Sequence, residues 1–129
     1  LQTIPAFERR PFGGLLLSRI TLVEGDDLNT IDLVEPRDSA YAERALSRRV
    51  GSKLRERPID VLTAEDFVLF KLLCTRDRDL ADAASVLRSL GPDLERDLVD
   101  DEVGHIATGE PSHDLVARWR DVLSRLAPS

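Results

Sequence analysis

Lys71, Arg76, Asp79 and Asp82 lie within twelve consecutive positions and are the residues of this sequence best suited to chemistry. A lysine beside an arginine can hold phosphate oxygens, one as a point charge and the other as a planar fork. Aspartates in the first turn of a helix are favoured by its dipole and orient neighbouring cations. Asp32 is a fifth candidate, a carboxylate between Ile31 and Leu33 that can face a cleft and ligate Mg2+. Together these residues suggest phosphate handling. Lys71 and Arg76 are the substrate-binding candidates and Asp32 the metal ligand; Asp32, Lys71, Asp79 and Asp82 are the candidate catalytic set. The same residues also have a plain structural reading. Asp79 then caps a helix, Asp82 pairs locally with Arg78, and Lys71 reaches to the surface along its own stem.

Lys71 stands out by rarity as well, because the chain has two lysines, Lys53 and Lys71, against sixteen arginines. The other reactive types carry less. Cys74 is the single cysteine, so no intrachain disulfide forms; among Phe70, Leu72 and Leu73 it reads as a small buried apolar residue. His105 and His113 lack a partner at ligand spacing and read as surface or cap residues. Gly13-Gly14 and Asp26-Asp27 mimic a glycine pair with an acidic pair. Asn29 stands where a second carboxylate is needed, and a β-rich run follows the glycines where a helix should. Asp26 and Asp27 are therefore turn residues.

The elements that must position these side chains follow from patterning. Residues 1–14 are punctuated by Pro and Gly and are expected to be irregular. Residues 15–23 and 28–34 form an antiparallel hairpin around the turn 24–27. On its second strand Leu28, Thr30, Asp32 and Val34 share one face, and Asn29, Ile31 and Leu33 the other. A helix is predicted over 38–50, with Arg44, Arg48 and Arg49 outward and Gly51 at its stop. Two short extended pieces, 53–57 and 59–62, are split by Pro58. Thr63 caps the next helix, with Asp66 three residues on in a capping-box pattern. On that helix Phe67, Phe70, Lys71 and Cys74 share a face. A polar break at 75–78 precedes a helix capped by Asp79 and stopped by Gly91-Pro92. Asp93 caps a third helix over 94–103, and Glu110-Pro111-Ser112 opens a fourth with Leu115, Trp119, Val122 and Leu126 at helical spacing. This order predicts an α+β fold: a β-hairpin and short strands packed with a C-terminal bundle of three to four helices. Residues 1–62 form the α/β portion and 63–129 the helical portion of a single compact domain.

Composition sets the outer limits. The 129 residues, 42% hydrophobic and 33% charged, suit one ordinary globular domain. The net charge of -6 argues against nonspecific nucleic-acid binding by the whole surface. No apolar run approaches the roughly 20 residues of a membrane span, and no signal peptide is visible. With the lone cysteine, this predicts a cytoplasmic protein. The chain begins at Leu1 and holds no Met, which suggests an alternative start, a trimmed chain, or residues missing upstream.

Over roughly residues 15–90 the chain resembles small prokaryotic nucleotidyltransferases, including the abortive-infection-type toxins. The resemblance rests on TAEDFVLFKLL at 63–73, then Arg76, then Arg78-Asp79-Leu80-Ala81-Asp82. The hairpin ending in Ile31-Asp32-Leu33-Val34 and the helix with Arg48-Arg49 also resemble the family. The resemblance implies a nucleotidyltransferase-like sheet and transfer of a nucleoside monophosphate from a nucleoside triphosphate, with Mg2+, to an RNA or protein acceptor. It implies that Asp32 is the third metal carboxylate, Lys71 the phosphate-contacting lysine, and Asp79 and Asp82 the acidic pair of the last motif. The family's Gly-Gly/Ser and Asp-x-Asp block is missing from these residues and would lie upstream of Leu1. The alternative expectation is a non-catalytic remnant that binds a toxin or antitoxin partner or forms a homodimer.

Overall fold

The computed structural model describes residues 1–109 and 114–126. In chain order it holds β1 (Gln2–Phe12), β2 (Leu15–Glu24), β3 (Asp27–Pro36), α1 (Ser39–Ser47), β4 (Val50–Leu54), β5 (Arg57–Val61), α2 (Ala64–Leu73), α3 (Asp77–Leu90), a 3₁₀ turn over Gly91–Asp93, α4 (Arg96–Gly109) and α5 (Leu115–Ser124). The fold is α+β. One sheet is three-stranded in the order β1-β2-β3, and β4-β5 forms a separate two-stranded ladder.

The β2–β3 hairpin has the expected turn, with ten unbroken antiparallel pairs from Leu15↔Pro36 to Glu24↔Asp27. Gly25 supplies the positive φ that the turn requires. The expectation that residues 1–14 are irregular is corrected: most of them form β1, antiparallel to β2. Pro5 and Pro11 are tolerated because β1 is an edge strand, where a missing N–H can face away from the ladder. Gly13 and Gly14 then have separate structural duties. Gly13 turns the chain at φ +60°. Gly14 brings the sheet against the C-terminal end of α2: its N–H donates to the Leu73 carbonyl at 2.9 Å, and its own carbonyl accepts from Arg37 N–H at 3.0 Å.

Several predicted boundaries move. α1 starts after Asp38, whose carboxylate accepts from Tyr41 N–H at 3.0 Å. The helix ends at Ser47, and Gly51 lies in β4 rather than at a helix stop. The second hairpin turns at Arg55-Glu56, both with positive φ, and not at Pro58, which pairs with Lys53 inside the ladder. Thr63 caps α2 as expected: its hydroxyl accepts from Asp66 N–H at 3.1 Å. α3 starts two residues before Asp79, and its N-cap residue is Arg76. Asp93 belongs to the 3₁₀ turn; α4 begins at Arg96 and runs to Gly109, past the predicted end. The Glu95 N–H ahead of α4 is satisfied by Glu65 of α2 at 2.9 Å. The predicted helix opening at Glu110-Pro111-Ser112, and His113 with it, lies outside the described residues; His105 is exposed on α4.

α2 is the centre of the bundle. α3, α4 and α5 all pack on it, and α5 also packs on α3 and α4. Val68, Leu69, Leu72 and Leu73 are buried along it. Lys71, Phe70 and Cys74 occupy its half-buried side, and Phe67 is more exposed. Leu15, Tyr41 and Ala45, from the N-terminal portion, join the same hydrophobic cluster as Leu80, Leu87, Val99, Ile106, Trp119 and Val122 from the helical portion. The two sequence portions therefore share one core.

Candidate functional site

The connection between α2 and α3 is three residues, Cys74, Thr75 and Arg76, so the end of one helix and the start of the next are held close. Asp79 occupies the third position of α3, where its carboxylate is almost wholly buried. It accepts from the Arg76 backbone N–H at 3.3 Å and from the Arg76 guanidinium at 2.9 and 3.1 Å. The predicted N-cap role of Asp79 is thus corrected to the third-residue half of a capping box. Lys71 reaches across the junction. Its Nζ is 3.0 Å from Asp82 Oδ2 and 3.5 Å from Asp79 Oδ1, so Asp82 pairs with Lys71 and not with Arg78. From α5, Arg118 donates to the Leu72 carbonyl at 2.9 Å and to the Arg76 carbonyl at 3.2 Å. The Leu72 carbonyl belongs to the last turn of α2, and the Arg76 carbonyl, which also accepts from Asp79 N–H at 3.2 Å, opens α3.

The electrostatics follow from these contacts. Burial pushes the Asp79 carboxyl up, but the Arg76 hydrogen bonds and the Lys71 charge outweigh it, and the carboxyl lies below its ordinary range. Burial lowers Lys71, while Asp82 and Asp79 more than compensate, so the ammonium is held more firmly than usual. The Cys74 thiol is pushed up by burial and by Asp79, which leaves it protonated and poorly nucleophilic.

Asp32 enters from the sheet. A cleft of about 320 Å³ is lined by Phe12, Leu15, Leu17, Arg19, Asp32, Val34, Cys74 and Arg76. Asp32 and Arg76 therefore share one cleft, and Arg76 joins it to the junction cluster through Asp79. Lys71, Asp79 and Asp82 do not line it. The Arg76 guanidinium also lies 5.6 Å from the Phe12 ring centroid. Both Asp32 oxygens are engaged by Arg19, at 2.8 and 3.1 Å, and this hydrogen bonding lowers the Asp32 pKa.

The described residues of the cleft do not by themselves suit Mg2+, which takes oxygen ligands in octahedral geometry. Asp32 is the cleft's one carboxylate, and Arg19 occupies both of its oxygens. Among the described residues no group of three or more His, Cys, Asp or Glu side chains converges.

Sequence reasoning missed three features. Arg19 is the partner of Asp32, and their positions are directly opposed in the β2–β3 register; pairing across the predicted hairpin was the available signal. Arg118 locks the junction from a distant helix, and no local pattern announces it. The third is an ion network. Arg44 and Arg48 do not both face away from the protein. Arg48 donates to Asp66 at 2.8 and 2.9 Å and to Glu102 at 2.7 Å, and Arg44 donates to Glu102 at 2.9 and 3.0 Å. The Tyr41 hydroxyl and the Thr63 hydroxyl complete the shell of Asp66 at 2.9 and 3.0 Å. The four-residue spacing of Arg44 and Arg48 was visible as one helical face, but its acidic partners were not. Arg49 does face outward, paired with Asp60 at 3.0 Å.

No family model matches the chain, nor does any curated protein or solved structure. Among the described residues no helix is long and apolar enough to cross a membrane.

Proposed function

We propose that this chain is a portion of a nucleotidyltransferase-fold protein whose complete form transfers a nucleoside monophosphate from a nucleoside triphosphate to an RNA or protein acceptor. The observation that carries this reading is the meeting of Asp32, from β3, with Arg76, from the α2–α3 junction, on one cleft. Arg76 is half exposed and lines the cleft while its Nε and Nη2 donate to Asp79. Lys71 is bound to the same carboxylate, Asp79, and supplies a point charge. Phosphate oxygens entering beside the junction would exchange one carboxylate partner of these cations for another anion. Asp79 and Asp82 act in this reading as positioning residues, holding Lys71 and Arg76 in place.

Mg2+ belongs to the complete form. Asp32 is held by Arg19, and among the described residues no further carboxylates gather beside it to complete a metal site. The same Arg19–Asp32 pair favours a second reading, a non-catalytic module that binds a toxin-antitoxin-type partner or another copy of itself.

Titration calorimetry with nucleoside triphosphates tests the first reading. The wild-type chain should bind, and Lys71→Ala and Arg76→Ala should each weaken binding about tenfold, the scale of one lost charge-assisted hydrogen bond. Equal affinity in wild type and Lys71→Ala would remove the proposed phosphate role. Absence of binding by the wild type would leave the non-catalytic reading. In the full gene product, transfer of labelled nucleotide should stop when Mg2+ is omitted.

A further inference from the structure

The two edges of the three-stranded sheet are built differently. On the β1 edge, Pro5 and Pro11 each lack a donor. The register against β2 shifts between Pro5 and Phe7 and again between Phe7 and Arg10, and Arg9 has φ +46°. Prolines, bulges and kinks are the usual means of closing an edge to further pairing. Between Asp27 and Glu35 the β3 edge has none of them, and its one proline, Pro36, is the last residue of the strand. Its pairing with β2 is unbroken over ten positions, and from Leu28 to Val34 it contains no Pro, Gly, Lys or Arg. It is also apolar on both faces. Leu28 and Val34 on one face are 70% and 44% exposed, and Ile31 and Leu33 on the other are 42% and 52% exposed. A free edge with apolar residues on both faces is a template for another strand.

We propose that β3 pairs antiparallel with β3 of a second copy of this chain, giving a continuous six-stranded sheet about a two-fold axis at Ile31. The strand's own pattern selects both the occupant and the register. A two-fold axis normal to a sheet keeps every side chain on its face, so even positions meet even and odd meet odd. Centred on Ile31, Leu28 meets the partner's Val34, Ile31 meets the partner's Ile31, and Thr30 meets the partner's Asp32, a hydroxyl against a carboxylate. Centred on Thr30, Leu28 would instead meet a carboxylate. The Ile31 register opposes like charges only at its ends, Asp27 against Glu35. There Arg9 lies 3.2 Å from Glu35 and offsets the repulsion. Asp32, nearer the axis, is neutralised by Arg19. This assembly goes beyond the proposed nucleotide chemistry and does not depend on it.

Sedimentation velocity on the intact chain across the micromolar range is the test. Wild type should sediment at twice the chain mass. Ile31→Lys, which sets two ammonium groups against each other on the axis, should halve that mass without changing the far-ultraviolet circular dichroism. Ile31→Cys gives a second measurement. Directly opposed strand positions are about 4.5–5.5 Å apart at Cα, within disulfide reach. Mild oxidation should therefore link Ile31→Cys into a covalent dimer, while Asn29→Cys and the parent, which carries only Cys74, stay unlinked. A wild-type chain at single mass throughout overturns the proposal, as does a dimer that survives Ile31→Lys or an Ile31→Cys chain that does not cross-link. Each of these readouts is independent of whether the chain binds nucleotide.

Discussion

Arg48 Nη2 donates to Glu102 Oε2 at 2.7 Å, a contact from the residue that caps the C-terminus of α1 to α4 across 54 positions of sequence. The same nitrogen donates to Asp66 of α2 at 2.8 Å. One guanidinium therefore joins three helices, and two buried carboxylates depend on it.

Breaking this network should be costly. Glu102→Ala should lower the unfolding free energy by about 3 kcal/mol, at the low end for a buried pair because Arg44 and Arg48 keep some contact with water. Arg49→Ala, which removes the exposed pair with Asp60 and an exposed hydrogen bond to the Leu46 carbonyl, should cost less, about 1 kcal/mol. Urea denaturation of the two variants beside wild type gives the comparison, and equal midpoints would show that the buried network contributes nothing special.

The network should also set the acid limit of stability. Burial raises the Asp66 carboxyl, but hydrogen bonds from Arg48, Tyr41 and Thr63 reverse this and leave it below its ordinary 3.8. Burial likewise raises Glu102, and Arg44 and Arg48 bring it below its ordinary 4.5. A carboxyl with a depressed folded-state pKa stabilises the fold above its unfolded value, and that contribution is lost as pH falls through the folded value. The difference in melting temperature between wild type and Asp66→Asn should therefore be widest near neutral pH and shrink below about pH 4. A difference that stays constant down to strong acid would contradict the assignment.

At the α2–α3 junction, stability and phosphate binding should separate. Asp79→Ala removes the acceptor for the Arg76 N–H and the partner of two cations, and should cost about 1–2 kcal/mol. Lys71→Ala removes one half-exposed cation and should cost under about 1 kcal/mol. Thermal melts of both variants check this. A larger loss for Lys71→Ala than for Asp79→Ala would reverse the roles given to them.

Gly14→Ala should destabilise the contact between sheet and bundle. A Cβ at that position would lie 2.5 Å from Leu73 Cδ2 and 3.3 Å from Leu73 Cβ. Leu73 is buried and has little room to yield, so a cost of about 1–2 kcal/mol is expected. Gly51→Ala, where an added Cβ meets nothing within 4 Å, is the control, and matching melts for the two would rule out the clash.

Local signals made much of the fold legible. The turn at Gly25, the Thr63 cap, the Gly91-Pro92 stop and the helical spacing of Leu115, Trp119 and Val122 each act over a few residues and hold wherever the segment is placed. The misread places depended on neighbours. Pro5 and Pro11 discouraged a strand at the N-terminus, yet β1 forms because β2 offers a partner and leaves its outer side free. Pro58 looked like a break, whereas the chain turns at Arg55-Glu56. The candidate site divides in the same way. Lys71, Asp79 and Asp82 lie close in sequence, and the short break between their two helices already implied a cluster. Asp32 reaches the cleft with Arg76 only because Gly14 docks the sheet on the end of α2.

By itself the sequence determined the α+β class, the β2–β3 hairpin and the charged junction at 71–82, since hydrophobic period, turn chemistry and capping are local properties of the chain. Only the tertiary structure decided which charges are buried and with whom. Arg48 with Asp66 and Glu102, Arg19 with Asp32, and Arg118 over the helix ends are choices made by packing. A guanidinium can satisfy any carboxylate within reach, and reach is set by how helices and strands stack on one core. Lys71, conspicuous at first for its rarity, is now defined by Asp82 and Asp79, the carboxylates that hold it at the junction.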